Sequence, residues 1–402
     1  MTPQRKTALR NAPGGGASPL SPLLAAGQPV DWWFAFKFND EAFPGDETKE
    51  PDPGIFGGSP DRYKDGFCLS YACASSANPS LQMGVGSICA SVNDPLGATF
   101  NQIYRGTCNY VLWNDQFYGS PIPSEDSPWG HAKGVLAWDN TGAGFVIQVS
   151  TPSWPASGSA QHPRANDGNT LGCIQDDDVL VSQHFFALKL TPADVGIVLA
   201  GLANASVVTK PGVPQLFNAG GPASLQALAQ KLGVESNTTT LTKQVLSSGV
   251  TFISKPSALH VPAWQMVSAL LGGVPLRAAT WWAAPEIYST TAASQIGCWS
   301  PALGAAGAVQ IAISGSWQGK SIGLQGGATA AGNHAKVGVS TDPRKTLCIF
   351  GDMNQQGTLN AQGPEGCASS QNGRGGTFYV LDNAPLFASL TALLQGAAAP
   401  VK

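Results

Sequence analysis

The 402-residue sequence predicts a mixed α/β fold of the α+β kind, built from two similar halves. Short segments rich in aromatic and β-branched residues, typical of strands, alternate irregularly with amphipathic helical segments along the chain. The triplet His-Ala-Lys occurs in GHAKGVLAWD (130–139) and again in GNHAKVGVSTD (332–342). Because the triplets lie about half the chain apart and each precedes a pair of predicted strands, they indicate an internal duplication.

The first half contains four predicted strands and one predicted helix. The strands cover residues 30–38, 109–115, 134–139 and 142–152. The last two form a hairpin, in which Gly142 and Gly144 suit the turn. Segment 178–190 carries both strand and helix signals. The helix covers 191–204, where a suitable N-cap residue precedes a proline at the first helical position.

The second half is predicted to hold three helices and three strands. The helices cover 224–234, 260–273 and 384–397, and the strands cover 276–282, 336–341 and 346–354. Residues 1–26 are rich in Gly, Pro and Ser and are predicted to form a flexible tail. The duplication then divides the remaining chain into a first repeat at 27–205 and a second repeat at 206–402.

The composition limits the class of protein. Hydrophobic residues make up 43% of the chain, enough for a substantial core, whereas charged residues make up only 12%. The net charge of −3 excludes a protein that binds nucleic acid through a broad basic face, so any such contact must come from a small local cluster. No apolar run reaches about 18 residues, so we expect no membrane span.

Eight cysteines are dispersed along the chain, and the closest pair, Cys68 and Cys73, does not have the spacing of a zinc site. An even, dispersed set favours disulfides, and with them an oxidising compartment, over buried free thiols, although both readings stay open. The N-terminus has no clear signal peptide, since prolines interrupt its short apolar stretch. Because the cysteines favour an oxidising compartment, we expect a location outside the cytosol, whether secreted, periplasmic or lysosome-like.

Each His-Ala-Lys triplet places an imidazole and an ammonium two residues apart. Residues i and i+2 of a strand project from the same face, so His131 is expected beside Lys133 and His334 beside Lys336. Each pair forms a small anion site, which suits a phosphate because lysine offsets its charge and imidazole can attack it or donate a proton. Lysine at this position would repel a metal cation, so we expect neither a metal nor another cofactor.

If the two halves pair about a pseudo-twofold axis, both His-Lys pairs face one phosphate. One histidine then attacks as the nucleophile and forms a phosphohistidine, and the other protonates the leaving alkoxide. The two lysines neutralise the non-bridging oxygens. Because one histidine must be neutral while the other is charged, this scheme favours a mildly acidic optimum.

Several stretches besides the triplets resemble the deoxyribonuclease II family, within the phospholipase D superfamily. They are GQPVDWWFAFK (27–37), YVLWNDQ (110–116), GNTLGC (168–173), NHAKVGVSTDPRKTLCIFGDMNQQ (333–356) and GRGGTF (373–378). The resemblance runs from Gly27 to about Leu394. It implies a phospholipase D-like fold of two pseudo-symmetric repeats, each with a central sheet flanked by helices. It also implies metal-independent endonucleolytic cleavage of DNA at acid pH, leaving 3′-phosphate and 5′-hydroxyl ends.

The resemblance assigns catalytic roles to His131, Lys133, His334 and Lys336. By analogy with the superfamily, His131 is the nucleophile and His334 the general acid. Asn354, in GDMN, falls where the superfamily binds phosphate, and Ser150 is the nearest candidate in the first half.

Two aspartates depart from the superfamily pattern. Asp139 and Asp342 follow their lysines by six positions. The wider superfamily pattern has five positions, whereas the deoxyribonuclease II family allows six. They either orient the histidines or open the hairpin turns. Three further candidates have simpler structural interpretations: Asp115 as a turn residue, which leaves a role in the site open, Trp281 as core, and Arg374 as part of a surface loop.

The sequence predicts a DNA phosphodiesterase that acts largely independently of base sequence, because the phosphates are the same along a duplex. One chain carries a complete site, so a monomer suffices and a homodimer stays open. Two alternatives also stay open: a phosphodiesterase of the same fold that acts on phospholipid or RNA, and a DNA-binding module without catalysis. Intact triplets in both halves argue against the second alternative.

Overall fold

The computed structural model describes residues 19–44, 70–88, 91–117, 122–152, 159–162 and 180–402. Within these ranges the strands are β1 (Trp32–Lys37), β2 (Tyr71–Ser75), β3 (Gln82–Met83), β4 (Asn109–Asn114), β5 (Lys133–Trp138), β6 (Gly144–Val149), β7 (Gln183–Leu190), β8 (Phe217–Asn218), β9 (Thr242–Val245), β10 (Thr251–Lys255), β11 (Leu276–Ala279), β12 (Val309–Ile311), β13 (Ser314–Trp317), β14 (Lys320–Gly323), β15 (Val337–Ser340), β16 (Leu347–Gly351) and β17 (Gly376–Asp382). The α-helices are α1 (Pro95–Tyr104), α2 (Pro192–Asn204), α3 (Ala223–Ala229), α4 (Ala263–Leu270) and α5 (Ala384–Leu393).

Two large sheets organise these strands. The first has the order β3-β2-β1-β7-β6-β5-β4-β8, and the second has the order β12-β11-β15-β16-β17-β10-β9. Neighbouring strands run antiparallel in both sheets, except for the parallel pair β11 and β12. Strands β13 and β14 form a separate hairpin. This combination of sheets and helices confirms the mixed α/β prediction.

Local sequence patterns explain most of the predicted elements. The predicted hairpin is β5 and β6, and Gly142 in its turn has a φ of 92°, which favours glycine. Helix α2 begins as predicted, because Thr191 and Asp194 each accept a hydrogen bond from the other's backbone amide. Segment 178–190, which carries both signals, contains strand β7. Helices α3 and α4 are shorter than predicted.

Several elements have no counterpart among the predictions, and α1 and β17 are two buried examples. Helix α1 has Asp94 as its N-cap and a proline in its first turn, both of which are signals of a helix start. Its apolar pattern is too short to predict a helix together with them. Strand β17 begins at the last glycine of GRGG, a sequence typical of a turn. The strand-forming sequence TFYVLD that follows is therefore not predicted as a strand.

Aromatic side chains join the two sheets into one core. Phe34 of β1 and Phe186 of β7 stack on Phe350 of β16, with ring centroids 4.7 and 4.4 Å apart. Tyr379 of β17 contacts Phe186 and also Phe252 of its own sheet. All four phenylalanines are fully buried, and burying such a side chain stabilises the fold by about 1.5–3 kcal/mol. The sheets therefore pack face to face.

The packed chain begins before residue 27, earlier than the composition predicts. The Leu23 amide donates to the Thr99 hydroxyl of α1 at 2.9 Å, and Ser21 is buried. Strand β8 pairs with β4 in the first sheet although it lies beyond residue 205. Composition does not register such contacts between distant segments.

The cysteines divide between one disulfide and free thiols in the described ranges. Cys298 and Cys367 form the disulfide, whereas Cys73, Cys108 and Cys348 are free. Cys68, Cys89 and Cys173 lie outside the described residues, as does the segment GNTLGC. Among the described helices, none combines the length and the apolar character needed to cross a membrane.

Candidate active site

The loop that leads into β5 carries the first triplet. Strand β5 begins at Lys133, so His131 lies two residues ahead of the strand. The His131 amide donates to the carbonyl of Gly375, in the loop ahead of β17, at 2.8 Å. A Cβ on Gly375 would lie 2.2 Å from the Ala205 carbonyl oxygen, and a Cβ on Gly130 would lie 2.3 Å from it. Glycine at both positions lets the loops of the two halves approach this closely.

The second triplet is held in an equivalent loop ahead of β15. Strand β15 begins at Val337, so both His334 and Lys336 precede it. The His334 amide donates to the carbonyl of Ser182, just ahead of β7, at 2.8 Å. Its ring packs edge-to-face with Trp281, with centroids 4.2 Å apart. The prediction that each His-Lys pair lies on one strand is therefore wrong, because each histidine lies in the preceding loop.

Both histidines face the same cavity, which has a volume of about 390 Å³. It is lined by Gln116, His131, Trp281, Ala328, His334, Lys336, Asn354, Gln356, Gln371 and Arg374. The two halves thus contribute to one polar site. Four residues predicted for the site lie in this wall, namely His131, His334, Lys336 and Asn354, whereas Lys133 and Ser150 lie behind it.

The ring of His131 is held in one tautomer. Its Nδ1 lies 2.7 Å from the backbone carbonyl oxygen of Asp352. A carbonyl only accepts hydrogen bonds, so Nδ1 carries the proton and Nε2 of the neutral ring keeps its lone pair. Burial and then the charge of Lys133 hold the pKa of His131 well below its ordinary value; Asp115 opposes this shift. Nε2 is therefore the nitrogen of the neutral His131 ring that carries no proton.

Behind the cavity wall, Asp115 joins two cations. Its carboxylate accepts from Lys133 Nζ at 2.6 Å and from Arg374 Nη2 at 2.9 Å, and it is fully buried. Burial alone would raise the pKa of Asp115, but the charges of Lys133 and Arg374 outweigh it and hold the pKa well below the ordinary value. Asp115 is thus a buried anion of the site, and Lys133 forms an ion pair with it.

Arg374 belongs to the site and not to a surface loop. Its Nε donates to the Trp129 carbonyl at 2.9 Å, and Nη2 donates to the Glu125 carbonyl at 3.0 Å. The side chain is buried and lines the cavity, although it comes from the second half and its partners from the first. The glycine-rich sequence around it favours a surface loop, and only these long-range contacts reveal its position.

A second buried carboxylate, Asp352, lies between the halves. It accepts from Gln148 Nε2 of the first half at 3.1 Å and from the amide and hydroxyl of Thr377 at 2.8 and 2.6 Å. Burial raises its pKa to about 7, although these hydrogen bonds oppose the shift. Its place in GDMN, beside the predicted Asn354, is the one sequence signal that could have drawn attention to it.

The two predicted phosphate-binding residues differ in position. Asn354 lines the cavity, and its Nδ2 donates to Gln356 at 2.9 Å. Its buried Oδ1 has no hydrogen-bond partner in the described part of the chain. Ser150 Oγ instead donates to Gln183 at 2.5 Å and accepts from the His184 amide at 2.9 Å. Ser150 therefore supports the site from behind.

Asp139 and Asp342 lie far from the cavity, at the opposite ends of β5 and β15. The six residues of β5 span about 20 Å, and the four residues of β15 span about 13 Å. Asp139 Oδ1 accepts from the Thr141 amide at 2.8 Å, and Asp342 pairs with the exposed Arg344 at 3.0 Å. Both aspartates thus stabilise hairpin turns, the second of their two predicted roles, and their positions do not support an orienting role.

Metal ligands of the usual kinds do not converge in the described ranges, where no group of three His, Cys, Asp or Glu side chains could hold an ion. The cavity instead combines two imidazoles, cationic side chains and amides. This set can bind an anion and transfer a proton.

The chain is similar to several known proteins. A family model described as Deoxyribonuclease II matches residues 21–374. The chain is 32% identical to deoxyribonuclease-2-alpha of Sus scrofa over 181 residues, which cover 39% of this chain and 44% of the pig protein. It is 31% identical to cell-death-related nuclease 7 of Caenorhabditis elegans over 114 residues, 26% of this chain and 31% of that protein. The chain thus spans less than half the length of these curated relatives.

Proposed function

Because the chain belongs to the deoxyribonuclease II family, we propose that it is an endonuclease that hydrolyses DNA phosphodiester bonds without a metal, leaving 3′-phosphate and 5′-hydroxyl ends. The observation that carries this proposal is that His131 and His334, from different halves, line one cavity. Lys336 and Arg374 in the same wall supply the positive charge that a phosphate requires.

In the first step, Nε2 of His131 attacks the phosphorus and the bond from phosphorus to O5′ breaks. His334 gives its proton to O5′, so the leaving strand departs with a 5′-hydroxyl. The 3′-phosphoryl group remains on His131 as a phosphohistidine. The contact from Nδ1 to the Asp352 carbonyl supports this assignment, because it keeps Nε2 free of a proton.

In the second step, water attacks the phosphorus and the bond from phosphorus to Nε2 breaks. His334 takes the proton from this water, and a 3′-phosphate is released. Lys336, Arg374 and Asn354 stabilise the non-bridging oxygens from the cavity wall. Lys133 acts from behind the wall, where its charge lowers the pKa of His131.

Acid pH suits this mechanism. His334 must be protonated to act as the acid, which favours pH values near or below the ordinary histidine pKa. His131 must stay neutral in the same range, and its lowered pKa supports this. Burial and the neighbouring cations thus shift the pKa of His131 in the direction that the mechanism needs.

We also infer a phospholipase D-like arrangement of two pseudo-symmetric repeats, at 27–205 and 206–402. The support is the strand order: β2-β1-β7-β6-β5-β4 in the first sheet has the same antiparallel pairings as β9-β10-β17-β16-β15-β11 in the second. Strand β8, from the second repeat, joins the first sheet. The histidine of each triplet lies ahead of the equivalent strand, β5 or β15, so one chain forms the whole site.

The proposed substrate is DNA of any sequence, because phosphate contacts carry no sequence information. The proposed location is outside the cytosol, in a secreted, periplasmic or lysosome-like setting. The disulfide between Cys298 and Cys367 supports that location, since disulfides persist in oxidising compartments.

The test is plasmid nicking at about pH 5 in EDTA, with wild type, His131→Ala and His334→Ala compared. The exposed His162 provides a matched control as His162→Ala. We expect wild type and the control to cut and both site variants to be silent. Cutting that requires Mg²⁺, or that survives either site substitution, would exclude the mechanism. RNA and phospholipid vesicles in parallel reactions distinguish the two alternative substrates.

A further inference from the structure

Two lysines outside the cavity are fully buried, one in each half. Lys37 ends β1 and Lys255 ends β10. Each lies opposite the first residue of the neighbouring strand in its own sheet, because Lys37 pairs with Gln183 and Lys255 with Gly376. The two lysines therefore occupy equivalent positions in the two sheets.

Each lysine donates to the backbone just ahead of that neighbouring strand. Lys37 Nζ lies 2.7 Å from the carbonyl oxygen of Val181, and Lys255 Nζ lies 2.7 Å from that of Arg374. Lys255 also donates to the Asn372 carbonyl at 2.9 Å. In both sheets the bonded carbonyl lies two residues before the strand begins, so both lysines hold the same part of the loop.

The next residue of each loop holds a histidine of the cavity. The carbonyl of Ser182, which follows Val181, accepts from the His334 amide at 2.8 Å. The carbonyl of Gly375, which follows Arg374, accepts from the His131 amide at 2.8 Å. Each lysine therefore holds a loop of its own half on which the histidine of the other half rests.

Simple stability does not explain a lysine at these positions. Removing an ammonium from water is unfavourable, and an apolar side chain of similar length would avoid that penalty. Burial lowers the pKa of Lys255 to about 7, which reflects this penalty. Accurate placement of the histidines is a physical reason for lysine here, because small displacements of reacting groups reduce rates strongly.

We propose that Lys37 and Lys255 are reciprocal positioning residues: Lys255 positions His131 and Lys37 positions His334, each through the backbone of the intervening loop. The catalytic consequence rests on the proposed function, whereas the positional relationship does not. Two experiments test these parts separately, with Lys37→Met and Lys255→Met, because methionine keeps the length of the side chain and removes its donors.

The first experiment measures hydrogen exchange at the amides of the two histidines. We expect Lys255→Met to accelerate exchange at His131 by about tenfold and leave His334 protected, and Lys37→Met to do the reverse. Ser268→Ala is the control, because it removes a buried hydrogen bond to the Val274 carbonyl in the second half away from both loops. Equal acceleration at both amides, or none, would overturn the proposal whether or not the protein cuts DNA.

The second experiment compares DNA with thymidine 3′-(4-nitrophenyl phosphate), whose leaving group departs without a proton. Lys37→Met, which disturbs the general acid, should lose about tenfold in the single-turnover rate on DNA but retain the rate of first-turnover nitrophenolate release from the ester, because that release precedes the step in which His334 acts as a base. Lys255→Met, which disturbs the nucleophile, should lose about tenfold on both. A merely structural role would instead reduce both substrates by one factor in both variants, which would contradict the proposal.

Two checks keep these outcomes distinct. Wild type must cleave both substrates and His131→Ala neither; otherwise the proposed function itself is at fault and the exchange result alone decides the positional claim. If a methionine variant does not fold, Lys37→Gln and Lys255→Gln replace the pair, since glutamine keeps a neutral donor. They should show the same reciprocal exchange pattern with a smaller amplitude, and loss of that pattern would overturn the proposal.

Discussion

The Nδ1 of His131 lies 2.7 Å from the backbone carbonyl oxygen of Asp352, a residue 221 positions away in the other half. The imidazole of one half is therefore oriented by the backbone of the other. Since His131 also rests on Gly375 and His334 on Ser182, neither half holds its histidine alone. The site exists only where the two sheets meet.

Asp115→Asn should weaken both the fold and the activity. The substitution leaves Lys133 and Arg374 as buried cations without their anion, which should lower the free energy of unfolding by about 3 kcal/mol or more. Because the pKa of Asp115 is lowered in the folded state, this loss is complete above about pH 4 and shrinks at lower pH. Urea unfolding at pH 5 and pH 7 measures it. Asp342→Asn, in an exposed ion pair, should change little; an equal effect there would contradict the assignment.

Asp352 should make the protein more stable in acid. Its pKa is about 7 when folded and near 4 when unfolded, so the folded state binds more protons between these values. Its contribution to stability is present below about pH 4 and is lost as the pH rises through about 7. Denaturant unfolding of wild type and Asp352→Asn from pH 4 to 8 tests this. The advantage of wild type over the variant should shrink as the pH rises, and a constant or growing difference would refute the raised pKa.

Arg374→Lys should reduce kcat on DNA by about tenfold or more, even though the charge is kept. Lysine cannot reproduce the planar set of bonds to Asp115, Glu125 and Trp129, so the cation would move relative to the phosphate. Steady-state kinetics at acid pH measure kcat and KM separately. Arg344→Lys, at an exposed turn, serves as the control, and equal effects of the two substitutions would argue against a place for Arg374 in the site.

Reduction of the disulfide between Cys298 and Cys367 should destabilise the second half. The bond closes a loop of 69 residues, for which chain entropy predicts about 4 kcal/mol of stabilisation. Thermal unfolding with and without reductant should show a lower Tm for reduced wild type. Cys298→Ser with Cys367→Ser should match the reduced protein and respond no further. An unchanged Tm on verified reduction would show that the bond contributes nothing to stability.

Local patterns account for part of the fold and for the two histidines. The apolar runs at β4, β5, β6 and β16 predict strands because a short continuous run of apolar residues is typical of a buried strand. The repeated triplet indicates His131, His334 and Lys336 as site residues for the same reason: the signal is contained in three adjacent positions. Asp139 and Asp342 are also explained locally, as turn residues.

Contacts between residues that are distant in the chain are not predicted by local patterns. Asp115 reaches Lys133 across 18 positions and Arg374 across 259, and no short pattern contains both contacts. The location of Lys133 behind the cavity wall and of Arg374 within it follows from that shared carboxylate. The same holds for Trp281, which the sequence indicates as core and the fold brings against His334.

The sequence by itself determined the class of fold, seven of the 17 described strands and the chemical groups available for phosphate chemistry, because these depend on short-range patterns of burial and spacing. Only the tertiary structure decided which of those groups meet. It paired Asp115 with two cations, fixed the tautomer of His131 and linked Lys37 and Lys255 to the opposite histidines. The physical reason is that charge pairing and desolvation depend on distance in space, which the packing of the two sheets sets.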